Sequence, residues 1–530
     1  MLFVLPLLAL TLSNIKAVSA TFHAPAIKLS YGTFSGSYSD EYNISYYRKI
    51  PYVAPPVGEN RWRAPQPPHH IQYGTYDTDQ SFPLCPQGSN GTGSEDCLYL
   101  GIYSRPWKEG AKRPVVVEIH GGAYSAGLAS FNIPPFGYPT LNASVQNDFI
   151  FVYPAYRLNV FGFLPGKEIK QAKDTCLNIG LLDQQAALRW VYENIEQFGG
   201  DPRNVSIWGQ SAGGGSVLAQ TIANGGKTTP KLFSRALASS PYWVKQYKYD
   251  DPEAEWIFTS LVNLTGCAGA ADSIACMRAL DTQTIYNASM QIPLYRPWYT
   301  STNTWSPVVD GDFLQTHLST AVSERKLNAE LVWGMYNTHE GEGFVPTQLL
   351  NMTGGPMNSS EAGFDYWLRG YLPRFSAAEL DQVKKLYPAV GTTETMTYNA
   401  TDQRAGLIYR DTVLACSGYW VASAAPKGWQ GEYTIPPALH GSEQVYWNHW
   451  PTNNETEVER YLGIAGAFSS FLQTGDPNAH KLTNPSVPGV PPLSKDLLWT
   501  MDPNGFHQRP IKQLKERCKF WHELALKVPE

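Results

Sequence analysis

What most restricts the fold of this chain is an alternation, between residues 115 and 336, of short apolar β-type runs with helical periodicity. Val115-Val116-Val117-Glu118-Ile119 and Phe149-Ile150-Phe151-Val152-Tyr153 are β-branched or aromatic runs, and both read as buried strands. Residues 183–198 then set Ala187, Trp190, Val191, Ile195 and Phe198 at i, i+3 and i+4 spacing, the stripe of a helix packed on a sheet, and Gly199-Gly200 ends it. Val205-Ser206-Ile207-Trp208 is a strand again, a helix follows over 212–224, and residues 235–239 and 331–336 are further strands. Such alternation predicts an α/β protein with a large, mostly parallel sheet flanked by helices, and a ligand site at the strands' carboxyl ends. No internal repeat breaks the pattern, and the proline clusters at 51–68 and 485–492 read as loops, so residues 21–530 are expected to form a single domain.

Two short motifs carry chemistry. Gly209-Gln210-Ser211-Ala212-Gly213 lies between an expected strand and an expected helix. A serine on so sharp a turn needs neighbours without bulk two residues before and after, and the helix start beside its Oγ favours a developing oxyanion. Some ninety residues earlier, His120-Gly121-Gly122-Ala123-Tyr124 follows a strand directly and has the form of a glycine loop that lends backbone N–H groups to an oxyanion hole. A metal hydrolase is the rival chemistry, but no His-x-x-x-His or clustered Cys/His spacing occurs, so no metal site is expected.

Residues 2–12 are an apolar run of signal-peptide length, and Ala17-Val18-Ser19-Ala20 supplies small residues for cleavage after Ala20. A secreted, extracellular protein follows, with residues 1–20 as its signal peptide. Glycosylation candidates are Asn43, Asn90, Asn142, Asn263, Asn287, Asn351, Asn358, Asn399 and Asn454. A further sequon at Asn204 opens a buried-looking strand that a glycan could not approach. Of seven cysteines, the short loops pair Cys85 with Cys97 and Cys267 with Cys276, while spacing alone cannot choose among Cys176, Cys416 and Cys518. A net charge of −5 provides no basic field for nucleic acid, and no later stretch is long and apolar enough for an integral membrane segment.

The sequence also resembles the type-B carboxylesterase/lipase family of α/β-hydrolases, which includes cholinesterases and non-catalytic adhesion proteins. The resemblance runs from Tyr31 almost to Trp521. It rests on Pro55-Pro56-Val57-Gly58-Glu59-Asn60-Arg61, Ser94-Glu95-Asp96-Cys97-Leu98-Tyr99-Leu100, Tyr156-Arg157-Leu158-Asn159, Asn178-Ile179-Gly180-Leu181-Leu182-Asp183-Gln184-Gln185, Pro307-Val308-Val309-Asp310-Gly311 and Thr474-Gly475-Asp476-Pro477-Asn478. It implies the α/β-hydrolase fold and a carboxylesterase of the secreted fungal type. Its catalytic triad would be Ser211 as nucleophile, Glu340 (in Asn337-Thr338-His339-Glu340-Gly341) as acid and His440 (in His440-Gly441-Ser442-Glu443) as base. Glu342 is the competing acid. The oxyanion donors would be Gly121, Gly122 and Ala212, with His120 orienting the glycine loop.

By the same resemblance Cys416 pairs with Cys518, leaving Cys176 as a buried free thiol. Arg157 with Asp183, and Glu95 with an arginine near Arg61, look like the family's structural ion pairs. Acyl transfer by such a triad needs a small-molecule ester substrate and no cofactor. Tyr124, Trp298, Trp305 and Phe344 are candidates to line the gorge. A lipase, or a sterol or feruloyl-type esterase, is the alternative within the family, and an adhesion protein the alternative outside catalysis. Cholinesterases resemble this chain but place an acidic residue before the nucleophile, where Gln210 stands here. Between Cys85 and Cys97 lie only eleven mostly polar residues without an aromatic, too few to cover an apolar groove, so a general esterase without interfacial activation is expected. Oligomeric state is not legible from the sequence.

Overall fold

The computed structural model describes residues 21–244, 246–292, 304–346, 358–449, 451 and 454–528. The expected signal peptide, the Asn351 sequon and Trp298 lie outside the described residues.

One eleven-stranded sheet organises the molecule. In chain order its strands are β1 (Ser37–Ser39), β2 (Ile44–Pro51), β3 (Tyr99–Ser104), β4 (Arg113–Ile119), β5 (Ile150–Pro154), β6 (Gly200–Gln210), β7 (Arg235–Ser239), β8 (Leu331–Asn337), β9 (Lys427–Tyr433), β10 (Leu497–Asp502) and β11 (Gly505–Pro510). In space they run β11-β10-β9-β8-β7-β6-β4-β5-β3-β2-β1. Neighbours from β5 through β10 are parallel, and both edges are antiparallel. The sheet is therefore mixed, and this is the α/β-hydrolase architecture.

Its faces bury different kinds of side chain. Trp208, Leu237, Trp333 and Trp429 occupy one cross-strand row. That row packs against the helix Glu455–Thr474, whose Phe468 and Phe471 meet the tryptophan rings edge-on. The opposite face is lined by small residues, Ala236 and Ala238 among them, against the helices Ala212–Gly226 and Cys416–Ala424. A Cβ on Gly334 would sit 3.1 Å from the Gly418 backbone, so glycine sets how closely that helix approaches. Burial on both sides is why the central strands are nearly continuous apolar runs rather than alternating ones. Three disulfides are present, Cys85–Cys97, Cys267–Cys276 and Cys416–Cys518. Cys176 is free as expected but half-buried rather than buried: its segment passes near the surface, and the burial it has pushes the thiol pKa up. The expected pair of Arg157 with Asp183 forms inside the protein at 2.7 Å, and the arginine that meets buried Glu95 is Arg61 itself, at 2.6 Å.

Candidate active site

The carboxyl ends of β4, β6, β7, β8 and β9 converge on Ser211. This residue takes φ 60° and ψ −127° between β6 and the helix Ala212–Gly226, a conformation that only close packing enforces on a non-glycine residue. The packing is visible at its neighbours. A Cβ on Gly213 would lie 2.0 Å from the Ile119 carbonyl oxygen, and one on Gly209 2.3 Å from the Gly213 carbonyl carbon. The turn thus exists because both flanking positions lack a side chain.

His440 follows β9, and its Nε2 lies 2.8 Å from Ser211 Oγ while its Nδ1 lies 3.1 Å from Glu340 Oε2. A neutral imidazole protonated on Nδ1 satisfies both contacts, donating to the carboxylate and accepting from the hydroxyl. Glu340 is fully buried and the His440 side chain is 21% exposed, so the carboxylate is shielded from solvent while the imidazole reaches Ser211 from a partly open side. The rival acid Glu342 points elsewhere, its Oε1 lying 2.7 Å from His339 Nδ1.

The two loops bearing Glu340 and His440 are stitched together. His339 N–H donates to the Ala438 carbonyl at 3.0 Å, and Asn337 Nδ2 donates to the Leu439 carbonyl at 2.7 Å. Glu443 completes the seam: buried, it accepts from Ser239 Oγ at 2.8 Å and from Asn337 Nδ2 at 2.5 Å. Burial, together with the charge of nearby Glu340, raises its pKa against the effect of the Asn337 bond. Sequence reasoning assigned Glu443 no role, although its place three residues after the histidine was a usable signal. Arg410 supports the acid loop from behind, donating to the Thr338 carbonyl at 3.2 Å while paired with Asp411.

On the other side of Ser211 lies the glycine loop. A Cβ on Gly121 would be 3.0 Å from Ser211 Cβ and 2.6 Å from the Gln210 carbonyl oxygen, so the loop's backbone lies flush against Ser211. Gly122 has φ 110°. Among the described residues no acceptor is bonded to the N–H of Gly121 or Gly122, and that of Ala212 is among the first four of its helix, which lack intrahelical acceptors. His120 Nδ1 is 2.8 Å from the Gly121 carbonyl oxygen, its ring stacks on Tyr156 at 4.3 Å, and burial drives its pKa down to about 4. It is a neutral donor to its own loop.

Of the residues expected to line a gorge, Phe344 lies edge-on to His440 at 5.3 Å and stacks on Tyr409 at 4.9 Å. Tyr124 and Trp305 are buried, with Tyr124 donating to the Tyr242 carbonyl at 3.3 Å. Among the sequons, Asn43, Asn90, Asn142, Asn263, Asn287, Asn399 and Asn454 are exposed and Asn358 is half-buried. Asn204 is half-buried and accepts from Arg235 at 2.6 Å.

Comparison with known proteins places this geometry in a context. The model of the carboxylesterase family matches residues 23–521. The carboxylesterase patB of Aspergillus clavatus is 30% identical over 448 residues, covering 81% of this chain and 76% of that protein. The secreted triacylglycerol lipase LIP1 of Gibberella zeae is 35% identical over 332 residues, 56% of this chain and 54% of its own. Among solved structures, EstA of Aspergillus niger aligns with a TM-score of 0.82 at 27% identity, over 96% of this chain and 99% of that one.

Proposed function

The chain belongs to the carboxylesterase family and is a carboxylic ester hydrolase, and from that premise we propose that it is a secreted serine carboxylesterase with Ser211, His440 and Glu340 as its triad. The observation that carries the reading is the relay at the elbow, Oγ to Nε2 at 2.8 Å and Nδ1 to a buried carboxylate at 3.1 Å. His440 Nε2 removes the Ser211 proton as Oγ attacks the ester carbonyl. The carbonyl π electrons move to oxygen, and that oxyanion accepts hydrogen bonds from Gly121, Gly122 and Ala212. Collapse expels the alkoxide, which leaves as the alcohol with the proton held by His440. Water, deprotonated by the same imidazole, then cleaves the acyl-enzyme to release the acid and restore Ser211. Glu340 fixes the imidazole tautomer and stabilises the imidazolium. These steps use only the chain's own groups and water.

The preferred substrates are dissolved esters with aromatic or short to medium acyl groups. The Cys85–Cys97 loop closes on itself through the Gln87 and Thr92 bridge and is too short to serve as a lipase flap. Gln210 offers no charge to a choline cation. Removal of residues 1–20, glycosylation at several of the exposed sequons and a single domain over 21–530 complete the reading. It is supported by the three disulfides and by a sheet that draws strands from residues 37 to 510. One experiment tests it. The purified protein is treated with a fluorophosphonate, its adduct is mapped, and rates are followed across the solubility limit of a short triglyceride and on a choline ester with its uncharged isostere. A single adduct on Ser211, no rate jump on emulsification and no choline preference are expected. An adduct elsewhere removes the triad reading, and a jump at the solubility limit favours a lipase.

A further inference from the structure

The Cys85–Cys97 loop does not cover the site, but it is bonded to it. Gln87 is buried, and its side-chain amide meets Gly127 as a peptide group would. Its Nε2 donates to the Gly127 carbonyl at 2.8 Å, and its Oε1 accepts the Gly127 N–H at 2.8 Å. The same Nε2 donates to the Cys85 carbonyl at 3.1 Å, and the Gln87 backbone N–H bonds to Thr92 at 3.0 Å, so the amide is anchored within the disulfide loop. One residue earlier, the Pro86 carbonyl accepts from Asn159 Nδ2 at 2.6 Å, while the Asn159 N–H donates to the Tyr124 carbonyl at 2.8 Å.

Gly127 is the surface on which the glycine loop rests. A Cβ on Gly127 would be 2.2 Å from the Gly121 carbonyl oxygen and 2.5 Å from His120 Nδ1. A Cβ on Gly122 would be 3.1 Å from the Gly127 nitrogen, the atom whose hydrogen Gln87 holds. Moving Gly127 therefore moves the peptide planes of both Gly121 and Gly122. We propose that Gln87 is a positioning residue for the oxyanion hole, making the first disulfide loop a brace for the glycine loop rather than a lid. The proposal rests on reading Gly121 and Gly122 as oxyanion donors. The expected effect is large for so remote a group, because a displacement near 1 Å in a reacting geometry costs about a hundredfold in rate.

Two variants separate bracing from packing. Gln87→Met keeps the volume and removes the three hydrogen bonds. Gln87→Glu keeps one acceptor, and regains a donor only when protonated. For Gln87→Met, kcat falls about tenfold to a hundredfold with KM little changed. Binding of an alkylboronic acid, whose adduct on Ser211 carries the oxyanion, weakens by a similar factor, while inhibition by the alcohol product is unaltered. For Gln87→Glu, kcat relative to wild type rises as pH falls, since the protonated acid restores the clamp and pH effects common to both proteins cancel in the ratio. A kcat for Gln87→Met close to that of wild type, equal weakening of the boronic acid and the alcohol, or a flat Gln87→Glu ratio overturns the proposal. If Gln87→Met does not fold, the pH ratio decides alone. Failure of the wild type to bind the boronic acid, or binding retained in Ser211→Ala, would instead overturn the triad reading.

Discussion

Substituting Gly213 by alanine adds one methyl group where the structure has no room. The new Cβ would lie 2.0 Å from the Ile119 carbonyl oxygen and 3.0 Å from the His120 carbonyl carbon and oxygen. Contacts of a Cβ with backbone below about 3 Å do not persist, so roughly 1 Å must open between the end of β4 and the start of the helix Ala212–Gly226. Neither side yields easily, because β4 and β6 are paired up to Ile119 and Gly209. The gap that opens separates Ser211 and the Ala212 N–H from Gly121 and Gly122, which belong to the two sides. A misplacement of that size costs about a hundredfold in kcat, and overpacking costs about 1–3 kcal/mol of stability. Steady-state kinetics on a soluble chromogenic ester, with a thermal melt of the same preparation, measure both. Gly269→Ala is the control, since a Cβ there meets nothing within 4 Å. A Gly213→Ala protein with wild-type kcat would refute the steric account of the turn, and so would a fall in kcat matched by the loss of folded protein.

Ser211→Ala and His440→Gln should each abolish ester hydrolysis with little change in melting temperature, and Glu340→Gln should leave a residue about 10⁴-fold below wild type; hydrolysis by Ser211→Ala at the wild-type rate would end the triad reading. Glu118, beside Trp208 on the sheet, has its carboxyl raised by burial from 4.5 to about 7, against a smaller opposing effect of its bond with Tyr153. The fold accommodates the protonated acid, so the stability this group contributes is full below pH ~4.5 and lost as pH rises through about 7, by at most about 3 kcal/mol. Glu118→Gln should therefore gain on wild type in melts at pH 8 and lose that gain toward pH 4.5, and a gap independent of pH would contradict the assignment. Replacing Cys416 and Cys518 together by serine should cost about 4.7 kcal/mol for a sequence separation of 102, against about 2.6 for the separation of 9 between Cys267 and Cys276. Denaturant titration that ranks the two pairs in the opposite order would show that loop entropy is not the controlling quantity.

The short apolar runs were legible as strands, and their cores coincide with β4 to β8. The strand read as 205–208 extends over Gly200–Gln210, because the polar residues 201–204 join it through an irregular register against β4. The helix read as 183–198 begins at Ile179 and tightens into a short turn over Ile195–Phe198. The segment Lys427–Tyr433 escaped notice altogether. Its aromatics Trp429 and Tyr433 are separated by Gln430, Gly431 and Glu432, with Gly428 before them, so no apolar run marks a strand; pairing with β8 and β10 makes it one, with Glu432 buried near Arg410. The environment of Glu118 was unreadable for the same reason, and although the position of Glu443 beside the histidine was a signal, its partners Ser239 and Asn337 come from distant segments.

By itself, then, the sequence determined whatever depends on backbone conformation within a few residues. A Cβ on Gly209 would meet the Gly213 carbonyl and one on Gly122 the Ala126 carbonyl, so that part of the demand for glycine is written locally. Only the tertiary structure decided the relay, because His440 lies 229 residues from Ser211 and 100 from Glu340. Parallel strands β4, β6, β7, β8 and β9 end at one edge of the sheet, so the loops that follow them meet there, and contacts of about 3 Å arise between groups whose sequence neighbours carry no trace of one another.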